Sequence, residues 1–421
     1  MNMPASPVQD GDPVYLDHNA TTPVDPRVVK AMLPFLTSGF GNPSSEHAYA
    51  TGPRAALARA RRQVAALVGA DAEEIVFTGS GSEANNLALR GAVLAAGDRR
   101  RRVITQVTEH PAVLETCRAL HRLHGAEVTY LPVDERGLVD PADLVEALDD
   151  RTAVVSVMAA NNETGTLQPV ADLARLAHDH GALFHCDAAQ AAGKVPVDAR
   201  ALGADLLTLV GHKMYAPKGV AALLVRTGVR LEPLVYGGGQ ERGLRAGTES
   251  VALAVALGTA AALAAEELAD GGARQVGELR DRLHRRLAQE FPGRVHLNGC
   301  DRRRLPNTLN ISIDGTTGHG LLAAAPALAA STGSACHSGA TTPSPVLSAM
   351  GLDDTRALAA VRLSLGRWTT PADVDRAAGA LIDAVHALAP AGADGHGAGH
   401  GPGRASGHEV GHGAGYWSAT L

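Results

Sequence analysis

Asp205-Leu-Leu-Thr-Leu-Val-Gly-His-Lys213 is the stretch on which the fold turns. A short apolar run containing β-branched residues stops at Gly211, and runs of that length bounded by glycine read as buried strands. A lysine just past such a strand sits at the rim of a sheet, where α/β proteins place ligands. Upstream, Ala182-Leu-Phe-His-Cys186 reads as a second strand and ends in Asp187-Ala-Ala-Gln190. One buried sheet would then present Asp187, Gln190, His212 and Lys213 at neighbouring strand ends. A lysine amine can hold pyridoxal phosphate as a Schiff base. A carboxylate against the ring nitrogen keeps that nitrogen protonated, through a charge-assisted hydrogen bond worth about 1.5–3 kcal/mol. On spacing alone the two residues also read as a solvated loop lysine and a helix cap.

Outward from this stretch, strands and helices alternate. Val14–Asp17 reads as a short strand, Pro26 to Leu36 as a helix, and Gly52 to Val68 as an amphipathic helix whose arginines form a solvated face. Glu74–Thr78 reads as a strand running through Gly79-Ser-Gly-Ser82 into a helix. That arrangement makes an anion site, because exposed amides at a helix start carry partial positive charge and glycine lets an anion approach. Ser80 and Glu83 equally fit a capping box. GxGxxG is absent here, which disfavours a dinucleotide fold. Further strands are read at 103–107, 127–131, 153–158 and 219–225, with helices after Pro111, at 141–148 and at 170–180. The pattern is α/β with a mostly parallel, buried sheet. A glycine-rich loop, Gly237–Thr248, is long enough to be functional. Helical sequence follows to about Glu290, broken near Gly271-Gly272. Beyond it come a strand at 306–313, a small-residue loop around Cys336, a strand at 360–366 and a last helix from Pro371 to Leu388.

The chain has 421 residues, 45% hydrophobic and 19% charged, with a formal net charge of −6. These values suit a globular protein of two domains and give no nucleic-acid footprint. No apolar run reaches the length of a bilayer span and the N-terminus lacks a signal-peptide pattern. The four cysteines are scattered, so neither a disulfide framework nor structural zinc is expected and a reducing cytoplasm is. Cys336 alone sits in a small-residue loop, while Cys117, Cys186 and Cys300 read as buried structural thiols. Residues 391–415 are mainly Gly, Ala and His, a composition that cannot bury a core. Their spaced histidines could bind a transition metal weakly, or the segment is an inert tail.

Together the motifs Leu16-Asp-His-Asn-Ala-Thr-Thr-Pro, Thr108-Glu-His, Asn161-Asn-Glu-Thr-Gly, Asp187-Ala-Ala-Gln, Gly211-His-Lys, the Gly-Gly-Gly-Gln-Glu-Arg loop ending at Thr248, and Gly333-Ser-Ala-Cys carry a family resemblance. The chain resembles type I cysteine desulfurases and selenocysteine lyases, in the class V aminotransferase group of pyridoxal-phosphate enzymes, from about Tyr15 to Leu388. The resemblance implies a fold-type-I transferase architecture, aspartate-aminotransferase-like. A large mostly parallel-sheet domain (27–262) binds the cofactor, a smaller α+β domain comprises 14–26 plus 263–388, and 389–421 is a disordered Gly/His-rich tail. It implies Lys213 as Schiff-base lysine and proton shuttle, Asp187 on the pyridine nitrogen, His110 on the ring and Gln190 on the phenolic oxygen. Gly81, Ser82 and His212 hold the phosphate, joined by Thr248 of the other subunit of a homodimer. Asn162 and Arg362 receive the substrate carboxylate, Arg362 reading also as an interdomain ion pair. Cys336 is the nucleophile, taking sulfur from L-cysteine as a persulfide, releasing alanine, and passing the sulfur to an acceptor protein, as in iron–sulfur cluster assembly. Substrate amine or His110 would take the thiol proton. Selenocysteine is the alternative substrate, since Val210, Ala335-Cys-His-Ser and Pro343-Ser-Pro-Val resemble the lyases. Many iron–sulfur-type desulfurases have serine in place of Val210, which cannot donate to the phosphate. A non-catalytic sulfur or metal adaptor is a third, weaker reading.

Overall fold

The computed structural model describes residues 4–7, 11–332 and 342–388. Cys336, His337 and the whole Gly/His-rich tail lie outside the described residues. In chain order the first elements are β1 (Val14–Tyr15), α1 (Pro26–Met32), α2 (Thr51–Leu67), β2 (Ile75–Thr78), α3 (Gly81–Ala96), β3 (Arg102–Gln106), α4 (Pro111–His124) and β4 (Glu127–Leu131). Then follow α5 (Pro141–Ala147), β5 (Thr152–Ser156), α6 (Val170–Asp179), β6 (Leu183–Asp187), β7 (Leu206–Val210), β8 (Ala221–Val225), α7 (Val251–Ala269) and α8 (Gly272–Glu290). The last are β9 (Val295–Leu297), β10 (Thr308–Ile313), α9 (Gly318–Ala324), β11 (Leu328–Ala329), α10 (Pro345–Ala349), α11 (Asp354–Leu358), β12 (Ala360–Ser364) and α12 (Pro371–Leu388).

Seven strands form the main sheet in the order β2-β8-β7-β6-β5-β3-β4. All pair in parallel except β8, which runs antiparallel to both β2 and β7. The strands alternate between two cores, as a period of two requires. Ile75, Phe77, Ile104, Val155, Phe184, Leu207 and Leu224 face one core, shared with α2, α6 and α7. Val76, Val103, Val154, Leu206 and Leu223 face the other, shared with α3 and α4. Both faces are covered, which explains why these strands read as nearly continuous apolar runs.

A second sheet, β12-β10-β9, is antiparallel. It packs with α8 and α12 over a core of its own that includes Leu283, Leu287, Ile311, Leu363 and Leu381, and Val14 and Leu16 from the start of the chain join this core. β1 pairs with β11, not with the main sheet. One expectation needs correcting. By length and composition α7 could span a bilayer, yet it is a core helix: Val255, Leu257, Ala261 and seven other residues are buried, and it packs along α1 and α2.

Candidate active site

β7 and β6 are paired neighbours, with Asp187 opposite Thr208. β7 stops at Val210, and one 3-10 turn, Gly211–Lys213, carries His212 and Lys213 over the end of the sheet. A side chain at Gly211 could not make this turn, since a Cβ would stand 2.8 Å from the Val220 carbonyl. Tyr215, just beyond, holds a positive φ of 65°. The surroundings pin it there: its N–H donates to Thr22 Oγ1 at 2.9 Å and its ring lies 3.8 Å under the Arg367 guanidinium.

These elements wall a cleft of about 430 Å³. Lys213, Asp187, Gln190, His110, His212, Gly81, Ser82, Asn162 and Arg362 all line it. Thr248 does not; it lies exposed on the glycine-rich loop. Nine of the residues singled out in the sequence thus meet in one cleft of one chain, while Thr248, expected to act from the other subunit, lies away from it, and Cys336 is outside the described residues.

Lys213 Nζ donates to the carbonyls of Asn19 (2.6 Å) and Ala20 (2.7 Å). Burial first, then the Arg362 charge, lowers its pKa to about 8 against partial support from Asp17 and Asp187. An amine so tuned is partly unprotonated near neutrality, as a nucleophile requires. Burial, then Lys213 and Lys218, lowers His212 to about 4, so its ring is neutral. His110 caps α4: its Nδ1 accepts from the Ala112 N–H at 3.1 Å. That bond leaves the proton of the neutral ring on Nε2. Burial lowers the His110 pKa, although Asp187 pulls the other way.

Asp187 is 6% exposed. It accepts from Asn85 Nδ2 at 2.7 Å and from the Ala189 N–H at 2.9 Å. A carboxylate has about four lone-pair sites, so it can still take a cationic N–H from the cleft. Arg362 is held by Asp17 at 2.7 Å and by the Asn162 carbonyl at 3.2 Å. Its buried Nε has no hydrogen-bond partner among the described residues. Arg362 thus makes an ion pair, but with Asp17 of the same segment group (14–26 plus 263–388) and not across to the cofactor-binding segment, and it also lines the cleft.

The floor of the cleft is the start of α3. Ser80 Oγ caps the Glu83 N–H at 3.1 Å. The box is displaced by one residue, because the Glu83 carboxylate reaches the Gly79 N–H at 2.9 Å instead of Ser80. The N–H groups of Gly81 and Ser82 then stand at a helix start where no intrahelical carbonyl serves them. A Cβ on Gly81 would come within 2.6 Å of Val210 Cγ2, so only glycine keeps this floor open.

Sequence reasoning missed three supporting residues. Asn85 orients Asp187 from the first turns of α3. Asn19, 1% exposed, bonds to Asn162, Thr308, Gln190, Lys194, Lys213 and Asn307. Glu109 is fully buried, donated to by the Met158 N–H at 2.5 Å; burial and then Asp187 push its pKa well up. The arginines of α2 need a correction too: Arg61 is not on a solvated face but forms a two-pronged pair with buried Glu241, both contacts 2.7 Å. This pair anchors the glycine-rich loop. Cys117, Cys186 and Cys300 are buried free thiols, as expected.

The donor set fits pyridoxal phosphate. A low-pKa amine, a buried carboxylate with spare lone pairs and a glycine-floored helix start meet in one cleft. Residues 14–377 match the family described as aminotransferase class-V. The chain is 49% identical over 366 residues to a cysteine desulfurase of Gluconacetobacter diazotrophicus, covering 86% of this chain and 91% of that one. It is 47% identical over 382 residues to a mitochondrial cysteine desulfurase of Drosophila melanogaster, covering 90% and 82%. Among solved structures, a NifS-like protein superposes with a TM-score of 0.82 at 36% identity, over 89% of this chain and 99% of that one. DndA from Streptomyces lividans does so with 0.70 at 38%, over 85% and 99%. With a match this long joined to a cleft of this composition, the chain belongs to the class-V aminotransferase family of pyridoxal-phosphate enzymes.

Proposed function

We propose that the protein is a cysteine desulfurase, moving sulfur from L-cysteine to Cys336 and releasing L-alanine. The observation that carries this reading is the convergence of Lys213, Asp187, His110, Gln190, Asn162 and Arg362 on one cleft. Lys213, Asp187, His110, Gln190, His212, Gly81 and Ser82 would hold pyridoxal phosphate. Bound there, it supplies an aldehyde that captures an amine and a protonated ring that takes up an electron pair.

Lys213 is the covalent anchor and then, with its pKa near 8, the group that lifts the substrate's α-proton. Arg362 and Asn162 receive the substrate carboxylate. Arg362 does so from a guanidinium already steered by Asp17. Asp187 accepts from the ring N–H. The Cys336 thiolate attacks the substrate sulfur: an S–S bond forms and the C–S bond breaks. The electron pair of that bond goes to the substrate's β-carbon, which takes a proton to give alanine. The sulfur stays on Cys336 as a persulfide, and no outside oxidant or reductant is consumed. A free thiol is about one-fifteenth thiolate near neutrality, so a base takes its proton; of the two candidates, the substrate amine and His110, the amine fits, because His110 Nδ1 already accepts from the Ala112 N–H.

A homodimer belongs to this reading. Thr248 is exposed and away from its own cleft, at the end of a loop that Glu241 and Arg61 hold firmly, and it would complete the partner's phosphate site. A sulfur-acceptor protein and a cytoplasmic setting go with it, as does a division into a cofactor-binding domain (27–262) and a smaller one (14–26 plus 263–388). The test is alanine release from cysteine and from selenocysteine by the wild type and by Cys336→Ala. The wild type should turn over cysteine, and Cys336→Ala should bind cofactor and cysteine without forming persulfide. Normal cysteine turnover by the variant refutes the nucleophile, and turnover of selenocysteine alone refutes the substrate.

A further inference from the structure

Lys194 takes no part in the chemistry above and does not line the cleft. It borders a smaller cavity, of about 40 Å³, together with Tyr215 and with Lys213, which also lines the cleft. Its amine donates to Gln190 Oε1 at 2.6 Å and to Asn19 Oδ1 at 3.0 Å. A carboxamide can turn over and exchange its oxygen for its nitrogen, but the Lys194 amine, charged or neutral, has at least two N–H bonds to give, and it gives one to each carboxamide. The oxygens of Gln190 and Asn19 must therefore face it. Gln190 Nε2 is turned the other way, where one hydrogen goes to the Asn19 carbonyl at 2.9 Å. The second remains for the cleft that Gln190 lines. The same Asn19 carbonyl takes Lys213 Nζ, so one clamp sets both groups.

We propose that Lys194 is a positioning residue: by holding the oxygens of Gln190 and Asn19 it keeps the Gln190 N–H aimed at the phenolic oxygen of the cofactor. The assignment rests on the pyridoxal-phosphate reading above. Without the clamp, only the bond to the Asn19 carbonyl holds the Gln190 carboxamide, and it can turn its oxygen toward that phenolic oxygen, exchanging attraction for repulsion.

The test follows the visible absorption band of the reconstituted holoprotein against pH. A donor at the phenolic oxygen favours the state with more negative charge there, which is the deprotonated one. Losing the donor in Lys194→Met should move the midpoint up by about 1 pH unit, the size of one such bond. Lys194→Arg, which only donates, should stay near the wild type. In a Gln190→Ala background, Lys194→Met should add no further shift. An unmoved midpoint in Lys194→Met, or an equal shift without Gln190, overturns the proposal. If Lys194→Met does not fold, Lys194→Gln replaces it, having one donor fewer in reach and an added acceptor. A smaller upward shift is then expected, and none overturns the proposal. A wild type that shows no visible band with pyridoxal phosphate would instead overturn the cofactor reading itself.

Discussion

Gly81→Ala tests the floor of the cleft. Outside its own helix, the three heavy atoms nearest a Cβ at that position all belong to Val210, at 2.6, 3.8 and 3.9 Å. Ordinary carbon–carbon contact is about 3.5–4.0 Å, so the overlap is roughly 1 Å against one methyl group. Val210 is β-branched, 6% exposed, and ends a strand paired to β8. It has one strongly preferred rotamer and little room to retreat. Overpacking of this kind costs about 1–3 kcal/mol. Relieved by shifting the first turn of α3, that cost falls on the anion site, and cofactor affinity should drop by about 5- to 150-fold. The assay is titration of the apoprotein with pyridoxal phosphate, followed by protein fluorescence. Val210→Ala removes the offending methyl, so Gly81→Ala/Val210→Ala should bind within a few-fold of Val210→Ala alone. A Gly81→Ala loss of the same size in both backgrounds would refute the steric argument.

Three other outcomes follow from the same geometry. Lys213 sheds its proton near pH 8 when folded, against the ordinary 10.5; the unfolded chain thus binds more protons in that window, and apoprotein stability should rise with pH through it. Thermal melting beside Lys213→Met, which should lack this rise, checks it, and the rate of cofactor loading should likewise climb and level off near pH 8. Arg362→Lys keeps a charge but loses the fork held by Asp17 and Asn162; KM for cysteine should rise on the order of 10²-fold, from about 3 kcal/mol of lost charge-assisted bonding, with a smaller change in kcat. His110→Ala removes the α4 cap and should cost about 1 kcal/mol of stability, whereas His110→Asn keeps a capping oxygen; melting should separate the two while both lose desulfurase activity.

The strands of the main sheet were readable because both faces are buried, so apolar runs of strand length stand out between turn residues. Asp187 and Lys213 were readable for a related reason: each follows such a run directly, and β6 and β7 pair side by side. The antiparallel direction of β8 was not legible, since a buried strand carries the same composition either way. Nor were Asn19 and Lys194, whose bonds join residues up to 345 positions apart and leave no local pattern. Arg61 looked like one more solvated helix arginine because its partner, Glu241, comes 180 residues later. The capping box was legible in kind and missed in register, because Gly79 offers its N–H where Ser80 was expected to.

A covalent bond between pyridoxal phosphate and one amine underlies every step of the proposed reaction. Reduction of the holoprotein with borohydride, followed by peptide mapping, should put the cofactor on the peptide containing Lys213. A label on Lys194 or any other lysine, or none at all, would contradict it.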